Sequence, residues 1–519
     1  MHTLLIVAAL ALGQQPVGNF LPRPEYQTYA TKTYYVAADG GIDSGPCTSA
    51  LAPCATLNGV YSKLPARVRH DVLINLAAGT YNLTSTQRLE GVETMGLNAS
   101  AVDTSITLQG STTWNNVTPS SGSGSGTLTG FTALSFPTRA ILTDSSQSWP
   151  TTAGSLNIKG QWVCITSGTA NGQKFMIHGN TATTLEIAAT AAPLPTTGST
   201  YQLCTPSTVI SWPSPGTSID MMQFRNGGGS MTINDITVSG TNGPSVNAGY
   251  IMSFGTGSTA TAQRTSWWHV VMNRVRLTHC SILASGVLNL QGNVRVQTSN
   301  SSVIADTQAV GCNASSGIRL SNNTMARGAT TLSLVQTYVR AQRDALTATG
   351  SQIGLSGATI ESDNISSGAF GMSVASTDIT GVTNGWIRCT AGGTNFVPGI
   401  SMRLRSTLQM TSLHIKGCGS AITFNEAVSP PVDASTNAGS IGVSLSTTTR
   451  LRIEDAWYAG IHLAPGVFAN FNDGGISFSN IADGGRDYLC PNGVNGYSDS
   501  QVQALPERTF TCRGAEVYR

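Results

Sequence analysis

MTINDITVSG (231–240), VMNRVRLTHC (271–280), SLVQTYVRA (333–341), GLSGATIES (354–362), MSVASTDITG (372–381), QMTSLHIKGC (409–418) and LSTTTRLRIED (445–455) are variations on one phrase. Each is an apolar residue alternating with a polar one, a polar break, then a second short alternation. Anchored on the last inward apolar residue, the series reads Val238, Leu277, Val310, Val339, Ile360, Ile379, Ile415 and Ile453. Its intervals are 39, 33, 29, 21, 19, 36 and 38 residues. Alternation of period two marks strands with one buried face. Its recurrence every few tens of residues, with no amphipathic helix between, predicts an all-β solenoid of parallel coils. Crossover helices of the βαβ kind are absent from the pattern. A propeller, with a tighter period and hairpins, ranks second. Stacking puts Ser239, Thr278, Gly311, Arg340, Glu361, Thr380, Lys416 and Glu454 in one outward column, with opposite charges on adjacent rungs at Arg340/Glu361 and Lys416/Glu454.

Composition agrees. The 519 residues are 40% hydrophobic and only 10% charged, with 57 glycines and a net charge of +2. Forty per cent is ample for a core, which excludes a disordered acidic chain. A balanced charge without a basic stripe excludes a nucleic-acid partner. The surface is therefore polar and uncharged. The apolar run Leu4–Leu12 is too short to span a membrane as a helix, which takes ~20 residues. It reads either as the core of a secretory leader or as an assembly tail.

The ends and one interruption stand apart from the repeat. Leu57, Val60, Tyr61 and Leu64 predict a short capping helix over 55–64. Residues 141–205 hold five or six short strands and predict a small all-β insertion. The expected organisation is a leader or tail (1–32), an N-terminal cap with first coils (33–140), the insertion (141–205), the solenoid (206–483) and a C-terminal cap (484–519).

Ten cysteines fall into near neighbours. Disulfides are expected at Cys47/Cys54, Cys164/Cys204 and Cys490/Cys512, which implies an oxidising, extracellular setting. For Cys280, Cys312, Cys389 and Cys418 the connectivity stays open. No cysteine or histidine group has zinc spacing, so no metal is expected.

YYVAADGGIDSGPCTSALAPCATLNGVYSKLP (34–65), followed by VLINLAAGTY (72–81), resembles the opening of right-handed parallel β-helix proteins of the pectate-lyase-like superfamily. The resemblance covers about residues 33–85, and the repeats extend it. It implies a right-handed parallel β-helix, but the superfamily includes lyases, hydrolases, phage tailspikes and adhesins. The insertion, with its LTDSSQSW, ITSGTANGQ and NTATTL phrases, is similar to a module of phage virion and bacterial secreted proteins.

Chemistry is thinly marked. Motifs of the galacturonase type are missing, as are a P-loop and a nucleophile elbow. The densest charged group contains Arg340, Arg343, Asp344, Glu361 and Asp363. Asp344 and Asp363 each follow a strand, so they are a candidate acid/base pair, with Glu361 beside them. Salt bridges and turn-capping compete with that reading. Glu454 and Asp455 form a weaker candidate, and His279 and His414 read as structural. A lyase would add a calcium ion; otherwise no cofactor is implied. Trp267, Trp268, Trp386, Trp457 and Tyr458 are candidate sugar-stacking rings, because neighbours on a strand cannot both face a core. Packing of those rings on the wall or at a subunit interface is the competing reading.

The expected function is recognition of cell-surface polysaccharide by a tailspike-like virion protein. Such a protein would be a homotrimer with particle proteins as partners and no membrane span. A secreted polysaccharide lyase or glycoside hydrolase, or a non-catalytic adhesin, is the alternative.

Overall fold

A computed structural model describes residues 27–95, 104–135, 138–151, 158–189, 193–212, 220–241, 249–255, 267–280, 286–305, 316–321, 330–363, 370–389, 398–403, 406–424, 442–456, 459–462, 468–470, 476–481, 487–489, 496–497, 509–512 and 515–518. The chain winds as a parallel β-helix with three strands per coil. One coil runs Asn293–Ser299, Ser302–Ala305, Ser316–Ser321, and the next lays Thr330–Val335, Tyr338–Ala341 and Leu346–Thr349 in parallel onto it. We call the three stacks the first, second and third faces. The first and second belong to one 25-stranded sheet, and the third is a 12-stranded sheet.

The corner between the first and second faces is a single residue in the left-handed region. It is Asp235, Arg274, Asn300, Gln336, Gly357 and Asn384 on successive coils, with φ between 46° and 62°. Its N–H donates to the coil above, as from Arg274 to Ser299 O at 3.0 Å and from Asn300 to Val335 O at 3.0 Å. One such residue turns the chain without consuming a loop, which suits Asn, Asp and Gly.

Inside, like side chains stack. The second-face column is Tyr81, Ile210, Val238, Leu277, Val303, Val339, Ile360, Ile387, Ile415 and Ile453, all buried. Two anchors of the sequence series are thereby corrected. Val303, not Val310, follows Leu277; Val310 lies outside the described residues. Ile379 belongs to the first face, paired with Ile353 and Leu408, and Ile387 takes its place. Thr380 leaves the outward column with Ile379, and Gly311 lies outside the described residues. Three alternating strands per coil offer three equivalent apolar anchors, so counting phrases alone can slip from one face to another. The predicted neighbours Arg340/Glu361 and Lys416/Glu454 are register partners.

The N-terminal cap holds a helix shorter than expected, Leu57–Tyr61, with Thr56 Oγ1 accepting from Gly59 N at 2.9 Å. Asp43 orients that cap by accepting from Ala55 N, Thr56 N and Thr56 Oγ1. Leu57, Val60, Tyr61 and Leu64 seal the end of the core. At the other end, the hairpin Thr509–Cys512 and Ala515–Tyr518 joins the sheet edge at Phe468–Asn470. Disulfides join Cys47–Cys54, Cys164–Cys204 and Cys389–Cys418. The last links neighbouring coils and was left open by the sequence. The side chains of Cys280, Cys312, Cys490 and Cys512 lie outside the described ones.

The insertion is larger than the 141–205 read from sequence. It leaves the corner after Gly110 and returns at Thr208, as an antiparallel eight-stranded sheet whose strands span Trp114–Asn116 to Thr200–Pro206. It has its own core, including Leu142, Trp149, Ile177, Ile187, Tyr201 and Leu203. Its first three strands, Trp114–Asn116, Ser125–Thr127 and Gly130–Ser135, lie before the predicted range; the first two are only three residues long, too short to show an alternation of their own.

Columns predict mutational cost. Leu277→Ala is expected to lose ~2–5 kcal/mol of stability in chemical denaturation, as a buried large-to-small change does. The exposed Thr380→Ala is expected to stay within ~0.5 kcal/mol.

Candidate functional site

The insertion folds back along the corner and covers the second face. Asn300 is its first anchor: it accepts from Met176 N at 2.9 Å, donates to Lys174 O at 2.8 Å, and takes Trp162 Nε1 on its carbonyl at 3.1 Å. Arg139 is fully buried and donates to Gly357 O, Ala358 O and Thr359 Oγ1. Gly160 sits against Ile304, Tyr338 and Ser302 so closely that a Cβ there would lie 2.6 Å from Ile304 Cδ1.

This docking decides the fate of the charged cluster. Glu361 is fully buried beneath the insertion and bonded to Lys159 Nζ at 2.8 Å. Burial would raise its pKa, but Lys159, Arg340 and Arg388 overcome that and hold it below the ordinary carboxylate value. Asp363 is buried and held by Arg340 at 2.7–2.8 Å. Asp344 accepts from Phe370 N at 3.0 Å, and burial pushes its pKa up. Asp344, Glu361 and Asp363 are thus separately engaged, two of them in ion pairs, and do not line an open cleft as an acid/base pair. Arg388 bonds Glu186 of the insertion, and His178 is buried beside both Arg139 and Arg388, which with burial keep it neutral.

The aromatic candidates also separate. Trp268 points inward, 1% exposed, edge-on to Phe224, and so cannot stack a sugar. Trp386 is on the second face, against His414 at 4.7 Å and under the Arg388 guanidinium at 3.7 Å. Its ring is occupied by protein. Trp457 and Tyr458 lie outside the described residues. Trp267 alone is half-buried on the outer side of the first face. Of the weaker candidates, Glu454 is shared among His414, Lys416 and Arg452. His279 is buried, and burial lowers its pKa to about 4.

With the second face covered, the outer side of the first face is the open wall. Its column nearest the corner reads Tyr35, Asn75, Gln109, Asn234, Asn273 and Ser299 on successive coils. All are half-buried. Asn273 Nδ2 donates to Asn234 Oδ1 at 3.0 Å, Asn234 Nδ2 to Gln109 Oε1 at 3.0 Å, and Gln109 Nε2 to Gly110 O at 2.9 Å. This is an amide ladder in which each group polarises the next. Asp235, behind it, is clamped by Arg274 at 2.6 and 2.8 Å. At the column's N-terminal end lies a cleft of about 310 Å³, bounded by Tyr35, Asn75 and Gln109, by Ala50 and Pro53 of the disulfide-closed loop, and by Ser111 at the insertion's root. The Tyr35 hydroxyl and Asn75 amide have no partner among the described residues. A local signal marks part of this column, since Asn234, Asn273 and Ser299 directly precede the corner residues Asp235, Arg274 and Asn300, but only register reveals that the column's members align.

Among the described residues, no group of three or more His, Cys, Asp or Glu could hold a metal ion, and no helix is long and apolar enough to cross a membrane.

Because Glu361 has a lower pKa folded than unfolded, its stabilising contribution is present above the unfolded value and lost as pH falls through the folded one. Glu361→Gln is expected to cost roughly 3–5 kcal/mol near neutral pH by removing the buried carboxylate that faces the Lys159 ammonium. It should also flatten the acid limb of the stability curve below pH ~4.3, measured by urea denaturation across pH.

No protein-family model matches the chain, and no curated protein matches it in sequence. Among solved structures it is similar to the native GH136 lacto-N-biosidase from Eubacterium ramulus, at 10% identity and a TM-score of 0.37, over 94% of this chain and 68% of that one. It is also similar to XylC in complex with xylose, at 10% identity and a TM-score of 0.27, over 84% and 74%. The tailspike protein gp49 from Pseudomonas phage LKA1 follows at 12% identity and a TM-score of 0.21, over 83% and 72%. At such scores these likenesses carry no argument about activity; the parallel β-helix rests on the strand register itself.

Proposed function

We propose that this chain recognises a cell-surface polysaccharide laid along the first face, as a tailspike-like protein of a virion. The observation that carries the reading is the amide ladder from Gln109 through Asn234 to Asn273, continued along the same column by Asn75 and Tyr35. Coils repeat at ~4.8 Å, close to the length of one pyranose unit, so a glycan parallel to the axis meets an equivalent amide at each sugar. Amides and hydroxyls bond neutral sugar hydroxyls, and the tyrosine ring offers a stacking plane. Carboxylates near the ladder are neutralised, Asp235 by Arg274, which favours binding over cleavage. In this reading the chain assembles as a homotrimer that leaves the first face open, and particle proteins are the further partners.

A second reading is favoured by one observation. Three disulfides form in an oxidising compartment, which suits a secreted lyase or hydrolase, or a surface adhesin, better than a particle assembled in cytoplasm. Either way the working location is extracellular. A calcium ion belongs only to the lyase version.

Gln109→Ala and Tyr35→Ala are each expected to weaken binding to the cognate polysaccharide about tenfold, the scale of one lost polar or stacking contact. A glycan array followed by titration calorimetry measures this; undiminished affinity in both variants would sink the reading. Release of reducing or unsaturated ends from the bound glycan would move the assignment to the enzyme, and native mass spectrometry decides the trimer.

A further inference from the structure

Trp267, His269 and Arg295 lie together on the outer side of the first face, away from the corner. Trp267 and His269 alternate on the strand Trp267–Asn273, and Arg295 is the register partner of His269 on the next coil. The three therefore stand ~6.6 Å apart along the strand and ~4.8 Å across it, the footprint of one sugar ring. Gly228 is the register partner of Trp267. A Cβ there would fall 2.7 Å from the indole Cδ1, so the missing side chain lets the indole lie against the sheet backbone. Trp267 and His269 are half-buried and Arg295 is exposed.

None of the three side chains has a hydrogen-bond or ion-pair partner among the described residues. Arg295 in this differs from Arg225, Arg274, Arg340 and Arg388, each of which holds a carboxylate. Along its own column Arg295 is followed by Thr331, Gln352 and only then Asp378, three coils away. The next coil on the other side of His269 presents Ser230. This is a cation beside a flat ring, with only Ser230, Thr331 and Gln352 on the nearest coils of its column.

We propose that Trp267, His269 and Arg295 form a subsite for an acidic sugar residue, with the carboxylate bound by Arg295 and His269 and the ring stacked on the indole. The inference rests on the polysaccharide reading of the first face and names the chemistry of part of that ligand. Guanidinium is the cation suited to a carboxylate because its paired N–H groups match both oxygens. Burial and Arg295 lower the His269 pKa, so the imidazole is a neutral donor until an anion arrives.

The test uses the full chain against polygalacturonate, alginate, hyaluronan and polysialic acid, each beside its carboxyl-reduced form, with dextran, mannan and xylan as neutral polymers. At least one acidic polymer is expected to bind about tenfold tighter than its reduced form. Arg295→Gln should erase that preference, and Trp267→Ala should weaken both forms. Melting temperatures of both variants should match the parent, because neither side chain is in the core. Binding of neutral polymers without any acid preference would overturn the subsite and leave the polysaccharide reading standing. An acid preference that survives Arg295→Gln would also overturn it. Binding of none of these polymers would sink both.

Discussion

The corner hydrogen bond governs this molecule. On six successive coils a residue in the left-handed region makes the turn, and its N–H is spent on the coil above, as from Asp235 to Asn273 O and from Gln336 to Ser356 O. A turn made by one residue leaves no slack, so the strands on either side of it cannot slip independently. Register on the first face is thereby locked to register on the second. A slip of one residue would turn every inward side chain outward. The buried columns and the amide ladder are both consequences of that lock.

The insertion exploits the same corner. It enters where a corner residue would stand, after Gly110, and docks on corner residues of later coils. Asn300 receives Met176 and holds Lys174, Gly357 offers its carbonyl to Arg139, and Asn384 accepts from Thr138. A corner exposes backbone carbonyls and short amides that ladder pairing does not use, which makes it a ready polar seam. A protein only 10% charged gathers Arg139, Lys159, Glu186, Arg340, Glu361, Asp363 and Arg388 at or beside this junction. Buried pairs of this kind contribute little net energy against a hydrophobic alternative, but breaking one is costly. Their role is to hold one docking position. The structural effect is a division of the wall: the insertion covers the second face where it docks, and the first face stays open, where we propose the polysaccharide binds.

Several sequence expectations met that division. The Arg340/Glu361 pairing was legible because opposite charges recurred at matching phrase positions. What those charges did was not, since Lys159 lies 202 residues from Glu361 in the chain. Trp267 and Trp268 were legible as one in and one out, from strand alternation alone. Which ring faced outward depended on the phase of the strand, and Val270 and Met272, both buried, set it. Trp386 reads from sequence as just such a ring, yet His414 and Arg388 cover it.

Alternation of apolar and polar residues determined the class of this protein by itself: strands, parallel coils, a capped end and an interruption. Alternation is a local property with period two, so a single chain reports it without knowing its neighbours. Only the tertiary structure decided which residues share a column, because coils differ in length and each contains three interchangeable apolar strands. It alone decided that Glu361 is in an internal ion pair, that Asn75, Gln109, Asn234 and Asn273 share one column, and that Arg295 has no ion-pair partner among the described residues. Those are relations between residues tens to hundreds of positions apart, and they exist only once the coils are stacked.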